Sequence, residues 1–324
     1  ECSTIQNLLL PVTPTPLLTS TVAPAAICSG TVFSYTATSS TPGATFAWSR
    51  AAVGGISEGA SAGAANVSET LTNTTTAAIN VTYVYVVSAN GCTNPSSYNV
   101  VVSVSPSPVL TSTLTPADIC SGATFNYTAT TATASPSFAW TRALVGGISE
   151  AASSGSTAVI AETLTNTTTA PVNVTYVFVV TAAGCPGPAQ NVVVTVNPNP
   201  VLSSTLTPAS ICDDATFNYT ATSATVGATF AWSRAAVGGI TPATSSGASG
   251  VISEALSNSN TTPTVVTYQF TTSRLGCSTI QNVLLTVNPT PLLTSTVAPA
   301  AICSGTVFSY TATSSTPGAT FAWS

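Results

Sequence analysis

The sequence predicts an all-β chain, a head-to-tail array of immunoglobulin-like β-sandwich repeats of about 92 residues. Three observations predict it. A long unit recurs at a fixed period. Each unit breaks into short apolar–polar alternating runs separated by turn residues, with no helical periodicity. A Trp falls on the third run and a Tyr on the penultimate one, as in an immunoglobulin-like sandwich.

The period is direct to read. AAICSGTVFSYTATSSTPGATFAWSRAAVGGISE from Ala25 returns as ADICSGATFNYTATTATASPSFAWTRALVGGISE from Ala117, and as ASICDDATFNYTATSATVGATFAWSRAAVGGITP from Ala209. Cys28, Cys120, Cys212 and Cys303 are spaced by 92, 92 and 91. The Pro-x-Pro elements at Pro14, Pro106, Pro198 and Pro289 keep the same spacing. Residues 14–49 and 289–324 are identical over 36 positions, a superperiod of three repeats. The division is 1–15, the end of a repeat; 16–107, 108–199 and 200–290, three whole repeats; and 291–324, the first third of another. A sandwich cut at these places would expose unpaired sheet edges, so the expectation is a chain that runs on in both directions.

Within 108–199 the elements follow in order. Val109–Leu114 reads as a short opening strand. Thr124–Thr130 alternates with period two, and Phe138–Leu144 carries the Trp. Gly146-Gly147 breaks the pattern. Val159–Thr165 is the next strand, and Val172–Thr181 is the longest β-prone run. Ala182-Ala183-Gly184 is a turn, and Asn191–Val196 closes the repeat. Trp48, Trp140, Trp232 and Trp323, with Tyr83, Tyr176 and Tyr268, are expected in the cores.

Composition narrows the chemistry. Charged residues are 4%, there is no His, no Lys and no Met, and the net charge is -5. Without His there is no Ser-His-Asp or Cys-His catalysis and no His metal site. Four Arg cannot make a nucleic-acid surface. Apolar runs such as Val100–Val102 and Val192–Val194 are far short of a membrane span. No catalytic residue, cofactor or metal is therefore expected. Asp213-Asp214 lacks the six to eight oxygens of a Ca²⁺ site and reads as a turn. Arg50, Arg142 and Arg234 follow each Trp by two residues, and Glu69, Glu162 and Glu254 lie on a later strand; a repeated Arg–Glu pair, or Arg over an aromatic ring, is the structural reading. Sequon-like triplets make Asn73, Asn166 and Asn260 candidates for glycosylation, although a chain rich in Thr and Ser produces such triplets by chance.

Eight Cys, two per repeat, point to disulfides and an oxidising compartment. No close Cys pair suits zinc. Two pairings are open. Pairing within a repeat would join Cys28–Cys92, Cys120–Cys185 and Cys212–Cys277. In a sandwich, however, a residue before the second strand and one after the sixth lie at opposite ends. A seven-residue strand spans about 23 Å, whereas disulfide Cα atoms lie within about 7 Å. Head-to-tail repeats instead bring Cys28 to Cys185 and Cys120 to Cys277 across each junction. Cys2, Cys92, Cys212 and Cys303 then pair with repeats beyond this stretch.

The words ICSG, FAWS, ETLTNTTTAPVNVTYVFVVTAAGC and VVVTVNPNP resemble the PKD-like or immunoglobulin-like repeats of very large Bacteroidota surface proteins. The resemblance covers essentially the whole chain. It implies export by the type IX system, a place at the bacterial cell surface, and a role as the stalk or filament of an adhesin, including adhesins of gliding motility. One departure is Cys212-Asp213-Asp214, where other copies have Cys-Ser-Gly. Neighbouring repeats are the expected partners. Identical chains packing laterally into a fibre or sheath, or repeats binding glycans or surfaces, are the alternatives.

Overall fold

The computed structural model describes residues 2–324, which form β-strands and no helix. In the first repeat these are β1 (Ile27–Cys28), β2 (Thr31–Tyr35), β3 (Thr45–Arg50), β4 (Ser61–Ala64), β5 (Val67–Leu71), β6 (Ile79–Ala89), β7 (Cys92–Thr93) and β8 (Tyr98–Ser105). One sheet runs β1-β8-β6-β3-β4, with the short β7 folded back on β6; the other is β2 with β5. All pairs are antiparallel except β1 with β8, where Ile27 faces Val104 and Cys28 faces Ser105 in parallel register.

The second repeat repeats the plan with β9 (Ile119–Cys120), β10 (Ala123–Thr128), β11 (Ser137–Arg142), β12 (Ser153–Gly155), β13 (Val159–Leu164), β14 (Val172–Ala182), β15 (Cys185–Pro186) and β16 (Gln190–Asn197). The third has β17 (Ile211–Cys212), β18 (Ala215–Thr220), β19 (Thr229–Arg234), β20 (Ile240–Thr241), β21 (Ser245–Gly247), β22 (Val251–Asn258), β23 (Thr264–Arg274) and β24 (Cys277–Asn288). Here β20 joins the smaller sheet, and β24 absorbs the counterpart of β7.

Strand alternation builds each core. Along β14 every second residue from Val174 to Ala182 is buried, and Val192, Val194 and Val196 of β16 add a parallel row. Phe125 and Tyr127 of β10 face them from the other sheet. Tyr176 stacks on Phe125 with ring centroids 5.3 Å apart and meets the edge of Trp140 at 5.7 Å. Burying one such aromatic side chain is worth about 1.5–3 kcal/mol. Trp48, Trp140, Tyr83, Tyr176 and Tyr268 are buried, and Trp232 is half-buried against the third core.

Two expectations need correction. Val109–Leu114 is not a strand, because it changes sheets midway. Leu110 bridges to Thr131 beside the smaller sheet, and the Leu114 carbonyl accepts from Val193 N in the larger one at 2.9 Å. Trp323 is not a core residue but 96% exposed. The strands that cover its counterpart Trp48 come after it in the chain, and Trp323 has no such strands among the described residues.

Candidate functional site: the repeat junction and the buried ion lock

The end of one repeat and the start of the next meet around a Pro-x-Pro segment. Pro106 and Pro108 are buried at the first full junction, and Pro198 and Pro200 at the second. Proline fixes φ and has no N–H to satisfy, so a buried two-proline segment is stiff at little polar cost. Gly187 lies directly against the Pro108 carbonyl, where any Cβ would overlap the oxygen. The second backbone N–H past each linker is caught by a side chain of the same repeat. Leu110 N donates to Gln190 Oε1 and Leu202 N to Gln281 Oε1, each at 2.6 Å.

The cysteines converge on these junctions. β1 runs beside the end of β8, so Cys28 sits where the first repeat hands over to the linker. The turn between β14 and β15 places Cys185 at the entry of the second repeat. Cys28 and Cys185 are bonded, with Cα atoms 5.4 Å apart. Cys120, in register with Asn197, is bonded in the same way to Cys277, with Cα atoms 5.5 Å apart. Cys2, Cys92, Cys212 and Cys303 are unpaired in this chain. Cys92 nevertheless occupies the junction position: Thr13 Oγ1, one residue before Pro14, lies 2.9 Å from its Sγ.

The Asn of each Leu-Thr-Asn or Leu-Ser-Asn word ties the same end of the sandwich together. Asn73 is buried, and its Nδ2 donates to Ala77 O at 2.7 Å and Val104 O at 2.8 Å. Its Oδ1 accepts from Thr75 N and Thr75 Oγ1, both at 2.8 Å. Asn166 repeats every one of these bonds, to Ala170 and Val196 and from Thr168. In the folded repeat both amide hydrogens of Asn73 and of Asn166 are used and buried. Asn260 is half-buried, its Nδ2 donating to Gly238 O and Thr264 Oγ1 at 3.0 Å each.

Asp213-Asp214 has a local explanation. Ser29 Oγ and Ser121 Oγ accept from Asn73 N and Asn166 N at 2.9 Å. Asp213 Oδ1 takes their place, accepting from Asn258 N at 2.7 Å. Asp214 takes the left-handed position that Gly30 and Gly122 fill elsewhere, with φ of 59°, a conformation that Asp tolerates better than most residues. Its carboxylate accepts from Ser257 Oγ.

The larger surprise lies inside the sandwich. Three of the four Arg are almost fully buried. Arg50 Nε donates to Glu69 Oε2 at 2.9 Å, and its Nη2 to Gly59 O at 2.7 Å. Tyr83 Oη donates to the same carboxylate oxygen at 2.6 Å. Arg142, Glu162 and Tyr176 repeat the trio, as do Arg234, Glu254 and Tyr268. Each trio bridges the two sheets and holds the loop after the Trp strand. Burial pushes each Glu carboxyl up, but the surrounding Arg, Tyr and Ser donors outweigh it and hold all three below the usual range. Burial and the Glu partner together push the Tyr hydroxyls well up. Of the two readings that the sequence offers for these Arg, a pair with Glu and a place over an aromatic, the structure has both, with Arg50 6.0 Å from the Tyr83 ring centroid and Arg234 5.9 Å from that of Tyr268; the Tyr–Glu hydrogen bond is what alternation does not reveal.

The PKD-like domain family matches residues 25–108, 117–200 and 209–291, well over half of the chain. The chain belongs to the PKD-like domain family. Its PKD-like repeats are similar to solved tandem domains at low identity. The I-band fragment I67-I69 from titin is 13% identical, covering 86% of this chain and 100% of that one, with a TM-score of 0.42. Human CDH23 EC21-23 is 12% identical, covering 85% and 100%, with a TM-score of 0.34. A comparison with curated proteins finds no match. Among the described residues no cluster of three His, Cys, Asp or Glu side chains forms around a metal site, and no helix is long and apolar enough to cross a membrane.

Proposed function

We propose that this chain is a structural repeat region of a long extracellular surface protein, an extended stalk or filament with no catalytic role. The observation that carries the reading is the junction: a buried two-proline linker and a disulfide tie each repeat to the next. Two connections between the same neighbours restrict bending far more than one. Disulfides persist in oxidising, extracellular settings. The units are 16–107, 108–199 and 200–290, each adding about 35–45 Å of length from strands of about ten residues. Cys2, Cys92, Cys212 and Cys303 pair with cysteines of further repeats. The resemblance to Bacteroidota repeats supports placement at a bacterial cell surface, after type IX export, as part of an adhesin.

A second reading is favoured by one observation. With charged residues at 4%, the outer faces are Thr, Ser, Ala and Asn, which repel like copies weakly. Identical chains packing side by side into a fibre or sheath is then the alternative. Repeats acting as glycan-binding modules gain less support, since Tyr83, Tyr176, Tyr268 and Phe125 lie inside. Electron microscopy of the native material tests these readings. A beaded thread one sandwich across, about 20–30 Å, is expected for the stalk. A thicker fibre with lateral order favours the second reading, and compact particles refute both.

A further inference from the structure

The two disulfides do more than hold neighbours together, because of where in each repeat they attach. In the second repeat the opening segment, residues 109–120, starts beside the smaller sheet, where Leu110 bridges to Thr131, and it is held to the closing strand β16 near its start, middle and end. Leu110 N donates to the Gln190 side chain, Val193 N donates to Leu114 O, and Cys120 faces Asn197 in parallel register. The third repeat shows the same contacts at Leu202 with Gln281, Leu284 with Leu206, and Cys212 with Asn288. Opening and closing segments thus both span a repeat from end to end, in the same direction.

The cystines connect these spanning segments and nothing else. Cys28, at the far end of an opening segment, is bonded to Cys185, at the near end of the next repeat's closing strand. From Cys185 the chain runs through β16, Pro198–Pro200 and the opening segment 201–212. Cys120 is bonded to Cys277, which leads through β24 to the next linker. Residues 29–91, 121–184 and 213–276 carry the remaining strands and nearly all of the aromatic core, and they hang from these routes as loops.

Resting on the stalk reading above, we propose that the disulfides form a tension shunt. Pulling force travels along two staggered covalent tracks made of opening segments, cystines and closing strands, and it bypasses the sandwich cores. The tracks have little slack. From Leu110 to Ile119 the opening segment takes nine steps where the closing strand takes six from Gln190 to Val196. The excess of about three residues is about 10 Å of extension. An array built this way stretches briefly and then stiffens, without unfolding its repeats.

Single-molecule pulling along one track tests the shunt, with the exposed free thiols of Cys2 and Cys212 as thioether-linked handles on protein carrying Cys92→Ser and Cys303→Ser. The covalent route between the handles is 2–28 and 185–212, about 55 residues or about 190 Å at roughly 3.4 Å per residue. After reduction the route is the whole of 2–212, about 210 residues or about 720 Å. The expected result is a sharp rise in force by about 190 Å with no unfolding step when oxidised, and unfolding steps out to about 720 Å after reduction. Unfolding steps in the oxidised protein, or equal lengths before and after reduction, overturn the shunt. So does an oxidised length near about 500 Å, which corresponds to a Cys120–Cys185 bond within one repeat, at about 3.4 Å per residue. Should the Ser substitutions impair folding, Cys92→Ala and Cys303→Ala are pulled instead, with the same lengths expected. The stalk reading fails separately: compact particles in the microscope refute it even when the pulling lengths are as stated, and extended threads with an unshortened oxidised length refute the shunt alone.

Discussion

Arg142 and Glu162 sit on opposite sheets of one sandwich and meet at 2.9 Å, with the Arg side chain 2% exposed. In a chain with 4% charged residues this is a deliberate use of charge. Arg142 also holds Ala151 O at 2.6 Å, so the pair fixes a loop as well as the spacing of the sheets. Glu162→Ala leaves a buried guanidinium unpaired and is expected to cost about 3–5 kcal/mol. Replacing both partners by apolar residues of similar volume costs much less, because no lone charge remains. Denaturant unfolding of the single and double variants checks this. Equal losses for the two would rule out the ion lock.

Stability should be flat near neutrality and fall in acid. Glu69, Glu162 and Glu254 are all lowered: burial raises them, and their donors more than compensate. Glu58 is held down to about 2, with the Thr72 N–H and the Ser57 hydroxyl outweighing burial. A carboxyl lowered in the folded state contributes stability that is fully present above its unfolded value, near 4.5, and is lost as pH falls through the folded value. With no His in the chain, nothing comparable titrates between pH 5 and 8. Thermal unfolding followed from pH 8 to pH 2 should show a plateau above about pH 5 and a decline below it. A decline between pH 6 and 8 contradicts the assignment.

Asn166→Asp isolates the polar lock at the junction end. The substitution turns an amide donor toward Ala170 O and Val196 O into a carboxylate that both carbonyls repel. A loss of about 1–3 kcal/mol is expected in the denaturant midpoint. The mass of the natural protein should show no glycan on Asn73 or Asn166; recovery of a glycopeptide at either site would contradict the burial of their amides.

Glycine demands differ sharply within one repeat. A Cβ on Gly155 would lie 2.6 Å from the Trp140 ring, whereas one on Gly146 meets nothing within 4 Å. Gly155→Ala should therefore cost about 1–3 kcal/mol through overpacking, and Gly146→Ala should be close to neutral. Similar melting temperatures for the two variants would show that the indole moves aside freely.

Much of this protein is legible in its sequence because it is written three times. Period-two runs located β10, β11, β13, β14 and β16 to within a few residues, since burial of one face forces alternation. The short strands β9, β12 and β15 were not visible, because two or three residues carry no period. The opening segment was misread as a strand, because Leu110 and Leu114 satisfy different sheets. The buried trio was half legible: a recurring Arg and Glu announced a pair, but nothing in the word VTY tells that Tyr176 Oη reaches Glu162 at 2.6 Å.

The identical segments 14–49 and 289–324 separate what sequence alone determines from what tertiary structure decides. Both make the same local bonds: Ser20 Oγ to Tyr35 Oη and Ser295 Oγ to Tyr310 Oη, each at 2.7 Å. Both place a left-handed glycine after the Cys-Ser pair, Gly30 and Gly305. Yet only the first copy forms β1, β2 and β3, and Phe33 is 2% exposed where Phe308 is 54% exposed. Turns and side-chain bonds close over a few residues and follow from the sequence itself. Strands need a neighbour for their backbone groups and a facing sheet for their apolar side; β5, β6 and β8 supply these to the first copy, and among the described residues no strands follow the second. The alternation was in the sequence; whether it became a sandwich depended on the residues that follow.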